Sequence, residues 1–318
     1  MKMNAMHRLQ ESGVKNGPLC VGLDTDPSYL PNSVLNNYAT PAQGVLAYNK
    51  AIIQRIAAGA NSAALAACCK VQIAYYEAMG IQGLQVYSET LKAVRKAGLP
   101  VIADIKRGDI ADTAKAYAKA HFSGDFEADI ITVNPYMGFD TIKPFAEYAM
   151  PENGGKGLFV LLRTSNPGMK DLEKLPIDST EARFEGEFVL DRVGSQLNLI
   201  AAEFKNIYPQ EFCSPVGAVV GCTEESDALA LRQAYPEIFF LIPGYGAQGG
   251  AARIAATLLT KAGGTVNSSR GILTAWKKSS ELASKAESGT LSLEDIADAA
   301  AKAAFEAKSD LLTAKNSL

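Results

Sequence analysis

Short β-rich apolar runs recur along this chain at Leu19–Leu23, Cys68–Ile73, Val101–Ile105, Ile130–Val133, Leu158–Leu162, Val216–Val220, Ile238–Ile242 and Gly264–Asn267. Between them lie Ala-rich stretches with apolar residues at helical spacing, at 41–58, 84–97, 110–121, 141–148, 185–204, 224–235, 250–262 and 293–312. Strands that alternate with helices must run parallel, and eight such units favour an α/β fold closed into a (β/α)8 TIM barrel over an open sheet. Residues 1–318 are therefore expected to form one barrel domain, with an N-terminal extension over about 1–17 and a C-terminal helix. The 166–183 connection, with Pro, Asp and Lys but little periodicity, reads as a functional flap or a mobile insertion.

Composition narrows the function. A net charge of -3 gives no field to attract nucleic acid or anionic lipid, so a bound phosphate must be gripped by local groups. No run of 18 uncharged apolar residues and no N-terminal apolar segment is present, which argues against a membrane span or a secretory leader and favours the cytoplasm. The five cysteines (Cys20, Cys68, Cys69, Cys213, Cys222) include no C-x-x-C pair and mostly fall in strand-like runs, as reduced, buried thiols do. With His7 and His121 as the only histidines, histidine metal sites and triads are disfavoured. Acid–base chemistry is left to Asp, Glu, Lys or Tyr.

In a (β/α)8 barrel the active site lies at the C-terminal strand ends. The polar residues there are Asp24 after strand one, Lys70 and Gln72 on strand two, Asp104 and Lys106 on strand three, Asn134 after strand four and Arg163-Thr164-Ser165-Asn166 after strand five. In Asp104-Ile105-Lys106-Arg107-Gly108-Asp109 the period of two puts Asp104 and Lys106 on one side of the strand end. Lys70, Asp104, Lys106 and Asp109 then form an alternating charge array, which is costly to bury unless its members neutralise one another. The seventh and eighth loops, from Pro243 to Gly250 and from Asn267 to Gly271, read as a phosphate cradle: glycines let backbone amides approach an anion, while Gln248 and Arg270 supply donors.

These motifs resemble the orotidine 5′-monophosphate decarboxylase family, in the form found in many bacteria and protozoan parasites. The resemblance rests on Gly22-Leu23-Asp24, Lys70-Val71-Gln72 with Ala74-Tyr75-Tyr76-Glu77, Asp104 through Ile110 with Thr113, Thr132-Val133-Asn134-Pro135, Arg163-Thr164-Ser165-Asn166-Pro167, the Pro243–Gly250 loop and Ser269-Arg270-Gly271. It implies a cofactor-free and metal-free homodimer with shared active sites, which converts orotidine monophosphate to uridine monophosphate and carbon dioxide in pyrimidine synthesis. By position, Asp24 and Lys70 would hold the ribose hydroxyls and Asp104 would face the departing carboxylate. Lys106 would protonate C6, and Asp109 with Thr113 would reach across from the partner subunit. Thr164 or Ser165 would bond the pyrimidine, Gln248 and Arg270 the phosphate, and Gln72, Ile110 and Asn134 complete the substrate-binding set. Tyr75-Tyr76 departs from a frequent Phe-Phe pair and adds hydroxyls that need partners. Two other readings compete: a metal-dependent phosphosugar decarboxylase or aldolase on the same barrel, which shares D-x-K-x-x-D, and a barrel that binds nucleotides without catalysis.

Overall fold

The computed structural model describes residues 3–59, 63–177, 188–211, 213–221, 224–245 and 251–318. Within them the strands β1 (Leu19–Gly22), β2 (Cys68–Gln72), β3 (Val101–Arg107), β4 (Ile130–Val133), β5 (Gly157–Arg163), β6 (Val216–Val220), β7 (Phe240–Ile242) and β8 (Gly264–Ser268) close in sequence order into a parallel barrel. Every neighbouring pair is parallel, and β1 meets β8 through Leu19 beside Val266 and Cys20 beside Asn267. Closure leaves no strand edge exposed, and helices outside the strands bury the other face.

Side chains that alternate along each strand divide into two sets. One set, including Leu19, Val21, Val71, Val101, Ala103, Ile131 and Val160, packs outward under the helices in the larger hydrophobic cluster. The other points inward and changes character with height. At the floor it is apolar, with Cys20, Cys68, Ile102, Ile130 and Phe159 in a separate buried cluster. Two residues further along β1 to β4 stand Gly22, Lys70, Asp104 and Thr132, so on this side the interior passes from apolar floor to polar mouth within one step of the period-two repeat.

The first seventeen residues are more than an extension. Ala5–Asn16 form a helix whose Ala5, Met6 and Leu9 are fully buried in the floor cluster, plugging the N-terminal end of the barrel. Asn4 caps it by accepting from the His7 amide at 2.9 Å, and the Asn4 amide donates to Glu211 at 3.1 Å. Arg8 pairs with Asp129 at 3.2 Å. The i, i+1, i+4 spacing of the three apolar side chains carries this helix, although the segment is polar on average.

Most other boundaries follow the sequence pattern. The 84–97 helix begins earlier, at Gly80, and the C-terminal helix runs longer, Leu293–Asn316. The expected helix at 141–148 is broken into short turns, Phe139–Thr141, Lys143–Ala146 and Glu147–Ala149. The long connection after β5 leads to a helix at Val189–Ile207, and its residues 178–187 lie outside the described set, as does Cys222. Cys20, Cys68, Cys69 and Cys213 are buried free thiols. No helix among the described residues is long and apolar enough to cross a membrane.

Leu9→Ala opens a cavity beneath the barrel floor. It is expected to lower unfolding free energy by about 2–5 kcal/mol in urea titrations, while an exposed control, Val14→Ala, changes little.

Candidate active site

Lys70, fully inside the barrel on β2, bridges two strands: its ammonium donates to Asp24 Oδ1 at 2.9 Å and to Asp104 Oδ2 at 3.0 Å. Asp104 on β3 receives three more donors, namely Lys106 Nζ at 2.7 Å, Thr132 Oγ1 at 2.8 Å and Gln72 Nε2 at 3.1 Å. Two carboxylates and two ammonium groups thus neutralise one another, which offsets the several kcal/mol each isolated ion would cost to bury. Burial alone would raise the Asp104 carboxyl, but the ammonium groups of Lys70 and Lys106 outweigh it and hold Asp104 well below the usual carboxylate range. Burial likewise opposes charge on Lys70, and the carboxylates of Asp104 and Asp24 reverse that, keeping it protonated beyond the ordinary lysine range.

Thr132 on β4, which the sequence reading quoted only within a motif, is central to the local backbone. Its hydroxyl oxygen accepts from the amides of Ile105 at 3.0 Å and Lys106 at 2.9 Å while its proton goes to Asp104. The β3–β4 register shifts between Ala103 and Arg107, and Lys106 adopts φ +45°, a left-handed conformation that costs a side-chain-bearing residue energy. The shift turns the Lys106 side chain toward the mouth. It is 46% exposed where Lys70 is 6% and Asp104 8%, so Lys106 is the member of the trio open to a ligand.

Ser269, which the sequence offers only within the Asn267–Gly271 run and without a role of its own, belongs to the same network. Its hydroxyl donates to Asp24 Oδ2 at 2.7 Å and accepts from Asn267 Nδ2 at 3.1 Å, which joins β8 to the network. Gly22 makes room for this: a Cβ there would collide with Ser269 Oγ. Tyr76, the second of the two unusual tyrosines, is buried and donates to the Leu23 carbonyl at 2.8 Å, anchoring the backbone next to Asp24. Period-two reasoning through Asn267 could have found Ser269, since both sit in step with the inward face of β8.

The remaining residues lie around this core. Arg270 is exposed at the rim and begins the short helix Arg270–Leu273, while Gln248 falls outside the described residues. Asp109, Ile110 and Thr113 stand on the rim at the start of the helix Ala111–Phe122, with Ile110 and Thr113 exposed and Asp109 Oδ1 accepting from the Ile110 amide at 2.8 Å. Within one chain Asp109 therefore stands apart from the hydrogen-bonded trio. Asn134 accepts from the Tyr136 amide at 2.9 Å, and it shares with Thr164 a mostly apolar cavity of about 440 Å³ beside β5. Thr164 gives both its amide, at 3.0 Å, and its hydroxyl, at 2.5 Å, to the Glu173 carboxylate, whereas Ser165 is exposed. Arg163 is buried and pairs with Asp227 at 3.2 Å, which also holds Lys174 at 2.8 Å. Among the described residues no group of three or more His, Cys, Asp or Glu side chains is arranged to hold a metal ion.

A Lys–Asp–Lys array at the mouth of a barrel, buried except for Lys106, with an arginine on the rim, suits an anionic phosphorylated ligand. Residues 17–284 match the model of the Orotidine 5′-phosphate decarboxylase / HUMPS family. The chain belongs to this family. It is 49% identical over 275 residues to an orotidine 5′-phosphate decarboxylase of Clostridium botulinum strain Loch Maree, with 86% of this chain and 90% of the relative covered. A Clostridium novyi protein of the same name is 48% identical over 272 residues, covering 85% and 89%. Among solved structures, an OMP decarboxylase of Leishmania donovani superposes with a TM-score of 0.64 at 28% identity, covering 93% of this chain and 99% of that one.

Thr132→Val keeps the shape but strips the acceptor from two strand-end amides and a donor from Asp104. We expect a loss of about 1–3 kcal/mol in denaturant unfolding, largely restored in Thr132→Ser.

Proposed function

We propose that the protein decarboxylates orotidine 5′-monophosphate to uridine 5′-monophosphate and carbon dioxide, the last step of de novo UMP synthesis, with Lys106 as general acid. The Lys106–Asp104 pair at 2.7 Å carries this reading, because it fixes one accessible ammonium at a strand end against a buried carboxylate. As the C6–carboxylate bond breaks, its electron pair remains in an in-plane orbital of the pyrimidine that has no electron sink. A preorganised ammonium in a water-poor site stabilises such localised charge more strongly than water does. Lys106 gives its proton to C6 as carbon dioxide leaves, and the neutral amine regains one from water before the next turnover.

The other roles follow from what each group has left to give. Lys70 and Asp24, bonded to each other, stand beneath the ribose hydroxyls. Asp104 lies beside the departing carboxylate and holds Lys106 in place. With the Thr164 hydroxyl engaged by Glu173, Ser165 is the better placed of the two to meet the base. Arg270 on the rim pairs with the phosphate, with Gln248 assigned alongside it by sequence position alone. Gln72 and Asn134 complete the set, Gln72 through its bond to Asp104. Asp109, Ile110 and Thr113 are assigned to the neighbouring site of a homodimer, in keeping with their position on the rim away from their own chain's charge network. Buried free thiols and an intermediary role in nucleotide synthesis support a cytoplasmic location.

The test is loss of orotidine monophosphate absorbance with purified protein in excess EDTA. Conversion to uridine monophosphate is expected. Activity that instead requires a divalent metal and a phosphosugar would move the chain's chemistry to the phosphosugar branch of the fold. Lys106→Ala should lower kcat by at least about 10²-fold while uridine monophosphate still binds; near wild-type turnover would remove Lys106 from the proton transfer. For the shared site, mixing Asp109→Ala with Lys106→Ala subunits should restore activity toward about a quarter of wild type, since statistical mixing makes half the dimers hybrids with one intact site each. No restoration would mean that each site is built from one chain.

A further inference from the structure

Tyr245 lies three residues beyond the end of β7, just after Gly244 turns the backbone with φ +86°. It is held at both ends. Its amide donates to the carbonyl of Asn267 on β8 at 3.3 Å, and its hydroxyl donates to the carboxylate of Asp310 on the C-terminal helix Leu293–Asn316. The ring between these two ends packs against the main hydrophobic cluster. Burial, and then the bond to Asp310, push the Tyr245 phenol well above its ordinary pKa, so it is a donor across the neutral range.

The surroundings give this tie a purpose. The C-terminal helix packs on the helix Ala251–Leu258 that follows β7, on the short helix that Arg270 begins, and on β1. Asn267, which receives the Tyr245 amide, gives its own side-chain amide to Ser269, and Ser269 bonds Asp24 of the charge network. The exit of β7 is thus braced between the C-terminal helix outside the barrel and the polar layer inside it.

We propose that Asp310 is a positioning residue which, through Tyr245, fixes the exit of β7 relative to Asn267 and Arg270 and so sets the geometry in which the substrate's phosphate is gripped. This rests on the substrate reading above. Asp310 touches no reacting atom, so its effect belongs to the ordering of the phosphate end rather than to proton transfer at C6. An anchor of this kind lowers the conformational cost of binding, and its removal falls on affinity for the phosphorylated substrate.

Steady-state kinetics of the full chain on orotidine monophosphate and on phosphate-free orotidine test it. Asp310→Ala and Tyr245→Phe are each expected to raise KM for orotidine monophosphate roughly fivefold to tenfold, the loss of one charge-assisted hydrogen bond, with kcat within about twofold. On orotidine, kcat/KM should stay at the wild-type value, and the double variant should be no worse than either single one, as for two residues acting through one bond. Tyr245→Phe keeps the packed ring and carries the test if Asp310→Ala fails to fold. An unchanged KM for orotidine monophosphate, an equal loss on both substrates, or additive effects of the two substitutions would overturn the proposal. Wild-type protein that does not turn over orotidine monophosphate would instead overturn the functional reading beneath it.

Discussion

The carboxylate of Asp104 is the point on which the site depends. It accepts from Lys70, Lys106, Thr132 and Gln72, which come from three consecutive strands, so one side chain sets the relative heights of β2, β3 and β4 at the mouth. An ion so deep in a protein is tolerable only when its partners are fixed as firmly as it is, and a closed barrel supplies that rigidity because no strand can slide without breaking two neighbours. Remove Lys70 and Asp24 loses its ammonium partner while Asp104 is left with Lys106 alone; the array therefore acts as a unit rather than as a sum of ion pairs.

The backbone is bent to serve it. Lys106 would continue a regular strand if Thr132 did not draw the amides of Ile105 and Lys106 onto its own oxygen. The cost of a left-handed lysine, of order 1–3 kcal/mol, is met by those bonds and by the ion pair it allows. Strain at this residue and nowhere else along β3 fits a side chain whose position matters to a fraction of an ångström.

The strand–helix alternation and the inward phase of β2 and β3 made the barrel and the Lys70–Asp104–Lys106 trio legible in the sequence. Each of these residues carries its own charge at the right phase. Thr132 and Ser269 were harder to read, because a hydroxyl in a strand is ordinary; only the register between neighbouring strands, which sequence does not encode locally, shows what it bonds. The helix Ala5–Asn16 was hidden for a related reason. Its three buried apolar side chains are outnumbered by polar ones, and the cluster they join draws on seven strands, most of them far along the chain. Thr164 shows the reverse case: the strand-end position was legible, but its commitment to Glu173, nine residues on, was not.

Lys70 and Lys106 share Asp104 yet are suited to different work. Lys70 is enclosed by two carboxylates and almost without solvent contact, and its ammonium is held protonated beyond the ordinary range. A proton bound so firmly is a poor one to donate, so Lys70 acts as a permanent counter-charge. Among the described residues Lys106 pairs with one carboxylate, and nearly half its side chain is exposed at the mouth. On the proposed mechanism its remaining N–H bonds are free to meet the substrate, and charge developing there draws the proton off. When that happens, Asp104 keeps the compensation of Lys70 and is not stranded as an unpaired anion in the barrel. On the proposed mechanism Lys70 is thus what allows Lys106 to lose its charge during turnover, a physical reason for setting two ammonium groups against a single central carboxylate.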